Sequence, residues 1–126
     1  MSGLCLAAAA LSVALPLQSF TLAWTHSIEK IRWEEDYRIV DQRLQLVEAR
    51  VRGHGAGMEP PEGAVLKDGV WHYRPALPPL PRVQLARSSY VADYEMCWDG
   101  LCRPMKDIAG PVEKVPVVEL FPCDTP

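Results

Sequence analysis

"WEEDYRIVDQRLQLVEARV", residues 33–51, supports two incompatible folds. Trp33, Tyr37, Val40, Leu44, Val47 and Val51 are spaced by four, three, four, three and four residues, which is the apolar stripe of an amphipathic helix. Ser27 is placed to cap such a helix and Gly53 to end it. The competing reading puts Trp33, Glu35, Tyr37 and Ile39 on one face of a strand, turns at Asp41 and Gln42, and resumes at Leu44. Taken alone, the periodicity favours the helix.

The flanking sequence favours strands. Phe20, Leu22 and Trp24 alternate with Thr21, Ala23 and Thr25, and "SYVADYEMCW", residues 89–98, places Tyr90, Ala92, Tyr94, Met96 and Trp98 on one face. An apolar run, "VPVVELF", is expected to end before Pro122. With 12 prolines and 8 glycines dividing short runs in 126 residues, the expected fold is all-β: a single antiparallel β-sandwich or partly open barrel with short hairpins. One domain spanning residues 1–126 accommodates this length. Two loops stand out. "GHGAGMEPPEG" holds too many breakers for a regular element, and "RPALPPLPR", residues 74–82, reads as a rigid extended connector.

Residues 1–18 hold a 14-residue apolar run from Leu4 to Leu17, too short to span a bilayer, which needs about 20 residues. A signal segment would fit that length, but no Lys or Arg precedes the run. A first strand pair is the favoured expectation. The formal net charge is -3, and no Lys/Arg-rich stripe offers the electrostatic footprint of a nucleic-acid binder, so no nucleic-acid partner is expected.

The four cysteines form two expected pairs. In "CWDGLC", Asp99 and Gly100 are suited to the centre of a type I′ hairpin turn, because both positions need positive φ. Trp98 and Leu101 then close the turn, and Cys97 faces Cys102 one step further out. Such a ring is worth about 2 kcal/mol. Cys5 and Cys123 are candidates for a second bridge, worth up to about 5 kcal/mol. Either bond depends on an oxidising compartment.

"FTLAWTHSIEKIRWEEDYRI", with the later loop "GHGAGMEP", resembles the bacterial family known as domain of unknown function 1850. The shared features are an aromatic-led strand ending in His26-Ser27, Glu35 two residues before Tyr37, and the Gly-Ala-Gly-Met run of residues 55–58. The resemblance extends over roughly residues 4–122. It implies a short turn between two apolar runs, and therefore strands over 33–51. It also implies a gene neighbourhood of TRAP-type transporters with a TAXI-class solute receptor, and placement at the periplasm or the periplasmic face of the membrane.

Ser27 and His26 point to opposite faces of a continuing strand, so they do not form a nucleophile–base couple. Glu35 is instead expected to approach His26 across a hairpin, where a carboxylate would raise the imidazole's proton affinity and hold its tautomer. Gly55 and Gly57 would admit a close backbone approach, and Met58 an adaptable apolar contact. The expected ligand- or partner-binding rim is thus His26, Ser27, Glu35, Tyr37, Gly55, Gly57 and Met58. Trp71 and Tyr73 are expected to pack while His72 between them is exposed.

The functional expectation is a non-catalytic accessory or binding protein of TRAP/TAXI-type transport, with no cofactor and no metal. Its expected partner is a transporter membrane subunit or solute receptor, and any membrane association would run through that partner. The alternative is a small-ligand or metal-binding enzyme using His26 and Glu35.

Overall fold

The computed structural model describes residues 2–25, 31–52 and 62–124. Residues 33–51 form two strands, β4 (Arg32–Val40) and β5 (Arg43–Arg52). Asp41 and Gln42 turn between them at φ 50° and 59°, both in the left-handed region that a type I′ hairpin requires. The helical stripe is not the set of residues that the strands bury. The β4–β5 register shifts after Asp36, which pairs with Glu48, while Tyr37 pairs with Leu46, leaving Val47 as an extra residue. This β-bulge makes the buried positions of β5 fall at Leu44, Leu46, Ala49 and Val51, whereas Val40 and Val47 of the helical stripe are only half-buried.

The remaining strands are β1 (Ser2–Ala8), β2 (Leu11–Leu15), β3 (Ser19–Thr25), β6 (Val65–Lys67), β7 (Val70–Tyr73), β8 (Val83–Ala86), β9 (Glu95–Trp98), β10 (Leu101–Pro104) and β11 (Val117–Asp124). They build two antiparallel sheets packed as a sandwich, one of four strands in the order β2-β1-β11-β8 and one of seven in the order β10-β9-β3-β4-β5-β7-β6. Leu4 and Leu6 of β1 and Val118 and Leu120 of β11 are fully buried from the small sheet. Opposite them lie Phe20, Leu22, Tyr37, Leu44, Leu46 and Met96 from the large sheet. Each fully buried leucine contributes about 2 kcal/mol of transfer free energy. Residues 2–15 are therefore a strand pair in this structure, and Cys5 is bonded to Cys123 of β11.

Two sequence expectations about strand ends are corrected. The strand expected over 89–98 begins only at Glu95, because Asp93 turns its carboxylate to its own neighbour, accepting from the Tyr94 N–H at 2.9 Å, and to Arg87. The Arg87 side chain is 1% exposed. It donates to both Asp93 oxygens at 3.1 Å and to the carbonyls of Val115 and Gly110 at 2.8 and 3.0 Å. Asp93 also accepts from the Lys106 N–H at 2.8 Å, at the start of a short helix, α1 (Met105–Ala109), which the strand pattern did not foretell. The last strand runs through Pro122 instead of ending before it. Only β1 pairs with β11 there, since the pairing with β8 ends where Val83 faces Leu120, so the missing proline N–H deprives no second neighbour.

The connector of residues 74–82 carries no strand, but Leu80 exchanges two backbone hydrogen bonds with Leu44, at 2.7 and 2.8 Å. It is pinned to the large sheet before the chain enters β8 of the small one.

Candidate functional site

The acidic run of β4 is divided by the strand's alternation. Glu34 and Asp36 face outward, whereas Glu35 faces the same side as its buried cross-strand partner Leu22. On the outer face, Thr21 donates to Asp36 at 2.7 Å, and Arg50 grips both Asp36 oxygens at 2.6 and 2.8 Å. The same guanidinium reaches Glu48 at 2.8 Å and Glu34 at 3.5 Å. Arg32 extends the chain of charges, at 3.5 Å from Glu34 and 2.6 Å from Glu95. His72 Nδ1 lies 3.4 Å from Glu48. One network thus runs across β9, β4, β5 and β7, with His72 as its partly buried last member.

Burial alone would raise the Asp36 pKa, but hydrogen bonds from Arg50 and Thr21 outweigh it and hold the carboxyl below its ordinary value. Beside this network is an open cleft of about 630 Å³. Thr21, Asp36, Arg38 and Val47 line one part of it, and the Cys97–Cys102 hairpin tip lines another. The bulge places Val47 in this lining. Asp99 and Gly100 take φ 52° and 77°, closing the tip as a type I′ turn. Cys97 and Cys102 pair directly, and their disulfide is formed, as is Cys5–Cys123.

Glu35 has a different environment. Burial raises its pKa, partly offset by the hydrogen bond it accepts from the Tyr37 hydroxyl at 2.9 Å. Tyr37, Tyr73 and Tyr94 all have raised pKa values, from burial first and from the Glu35 charge second. Trp24 stacks on Trp33 with ring centres 6.2 Å apart, and Trp33 Nε1 is buried without a hydrogen-bond partner among the described residues.

The family profile of a domain of unknown function, DUF1850, matches residues 20–105. This chain belongs to that family. Comparison with curated proteins and with solved structures gives no match. The DUF1850 match begins at Phe20 of β3 and runs past β10, so it contains the large sheet and the cleft apart from Ser19. Strands β1, β2 and β11 of the small sheet lie outside it.

Of the sequence-derived rim, the structure brings together Glu35 and Tyr37. His26, Ser27, Gly55, Gly57 and Met58 lie outside the described residues. Thr21, Asp36, Arg50 and Arg38 were not anticipated as cleft residues. The charge balance of this stretch reads as a solvated surface, and only the pairing of β3, β4 and β5 joins them. Among the described residues no group of three or more His, Cys, Asp or Glu side chains is placed to hold a metal ion. No helix among them is long and apolar enough to cross a membrane.

Proposed function

We propose that this DUF1850 protein is a non-catalytic binding component that works outside the cytoplasm as an accessory to TRAP/TAXI-type solute transport. The observation that carries the binding reading is the cleft and its self-paired charges. Arg50 and Asp36 saturate each other, with Thr21 and Glu48 taking further positions. Groups fixed in this way present a rigid polar surface and are poorly suited to accept or release a proton during a reaction.

The two disulfides support an oxidising compartment. The family resemblance supplies the partner class, a transporter membrane subunit or its solute receptor. Crosslinking in intact cells followed by affinity purification of this chain tests the reading. Recovery of either transporter component, weakened by Arg38→Glu at the exposed edge of the cleft, is the expected result. Absence of both components from a crosslinked sample that retains the bait overturns it.

A second reading, binding of a small ligand at Glu35, is favoured by Trp33 Nε1, which has no partner among the described residues, and by Tyr37, Tyr73 and Tyr94 near this carboxylate. A ligand held there raises the melting temperature of the native chain and not of Glu35→Gln. An unchanged midpoint across metals and carboxylate metabolites removes this reading.

A further inference from the structure

We propose that Cys97–Cys102 is a redox-active disulfide that exchanges with an external thiol, whereas Cys5–Cys123 is structural. The inference is independent of the transport reading and begins with placement. Cys5 and Cys123 are 118 residues apart in sequence and join two adjacent strands of the small sheet, where both are half-buried. Cys97 and Cys102 are only 5 apart, at the tip of a hairpin. Cys102 is exposed on the edge strand β10, and both residues line the open cleft.

The hairpin has other supports than sulfur. The Asp99–Gly100 turn and the ladder from Leu101–Trp98 to Pro104–Glu95 set its register, and Met96 anchors it in the core at 0% exposure. Opening the bond leaves these interactions in place. Local electrostatics then distinguishes the two sulfurs. Arg32 turns Nη1 to Glu95 and directs Nη2 at Cys102 Sγ, 3.9 Å away. A guanidinium beside a departing thiolate stabilises it. Cys102 is therefore the leaving sulfur and Cys97 the one attacked. The cleft lies on the appropriate side, because Cys97 pairs with Thr21 and the lining continues through Thr21 to Asp36.

In the first step an incoming thiolate bonds to Cys97 Sγ, the Cys97–Cys102 bond breaks, and its electron pair leaves on Cys102 Sγ. A second thiolate, on the same partner or another molecule, attacks the partner sulfur of the mixed disulfide. Cys97 departs with that electron pair, and both cysteines take up protons. The chain gains two electrons and two protons, and two external thiols become one disulfide. The reverse sequence reduces a partner disulfide to two thiols and re-forms the Cys97–Cys102 bond.

The oxidised full chain is treated separately with reduced thioredoxin and with reduced glutathione, quenched in acid, alkylated and mapped by peptide mass spectrometry. Labelling of Cys97 and Cys102 is expected to be roughly tenfold faster than that of Cys5 and Cys123 with at least one reagent. The reagent that acts identifies the thiol as protein-borne or small. Equal rates, faster opening of Cys5–Cys123, or no opening of Cys97–Cys102 by either reagent overturns the proposal. The β-type circular dichroism of the selectively reduced chain is expected to persist, and its loss also overturns it.

Arg32→Met is expected to slow the exchange about threefold, because the departing Cys102 thiolate loses its neighbouring cation. Glu95→Gln, which frees Arg32 from its carboxylate, is expected to accelerate it. Simple loosening of the hairpin would accelerate both variants, and that result overturns the role given to Arg32.

Discussion

Two adjacent carboxylates in one strand, Glu35 and Asp36, face opposite fates, and their pH dependence should reveal it. Glu35 has a folded-state pKa raised above its ordinary 4.5. Its contribution to stability is fully present below that value and is lost as pH rises through the folded pKa. Glu35→Gln keeps an acceptor for the Tyr37 hydroxyl and is expected to flatten that decline, measured as unfolding free energy from pH 4 to 7. Asp36 has the opposite sign. Its folded pKa lies below the ordinary 3.8, so its contribution is present above that value and lost as pH falls through the folded pKa. Asp36→Asn is expected to cost about 1–2 kcal/mol at neutral pH, with the partial exposure of the pair limiting the effect, and to remove the associated acid loss. Away from this strand, Arg87→Met removes the counter-charge of Asp93, which keeps only its two backbone N–H donors, and leaves the Val115 and Gly110 carbonyls without this donor. A loss of about 3–5 kcal/mol in urea denaturation is expected.

The β4–β5 hairpin shows how one inserted residue changes an element's apparent periodicity. Val47 has no partner across from it, and its neighbours Leu46 and Glu48 oppose the consecutive residues Tyr37 and Asp36. Deleting Val47 should close the ladder without moving either neighbour to the other face. The deletion variant is expected to keep the parent's circular dichroism and lose about 1 kcal/mol of apolar burial. Loss of the fold on deletion would show that the bulge's twist is required. The Asp-Gly pair at 68–69 joins β6 to β7 with φ 53° and 78°, repeating the chemistry of Asp99–Gly100. Asp41–Gln42 achieves the same turn without glycine, which makes its signal in the sequence weaker.

The whole sandwich depends on a strand pairing between the two ends of the described chain. β1 and β11 lie side by side in the small sheet, with Cys5 bonded to Cys123. By loop entropy this bond contributes about 5 kcal/mol. Replacing both cysteines by serine is expected to lower the melting temperature by roughly 15 °C, whereas replacing Cys97 and Cys102 should have a much smaller effect. The contrast is measurable by calorimetry on the two double variants.

Local chemistry made much of this legible. The alternation of Phe20–Thr25, the turn at Asp99–Gly100 and the Cys97–Cys102 pairing follow from side-chain period, positive φ and geometric reach, whereas Cys5 and Cys123 were candidates only as the remaining cysteines. Pattern alone could not separate helix from hairpin at residues 33–51, because a bulge shifts the inward positions by one, and it gave no sign that Asp93 would leave its strand for Arg87. The cleft was equally hidden. Thr21, Asp36, Arg50 and Cys97 belong to four strands, and nothing in their separate neighbourhoods marks them as companions. Sheet order and register bring them together, and these arise from the burial of distant apolar faces against one another.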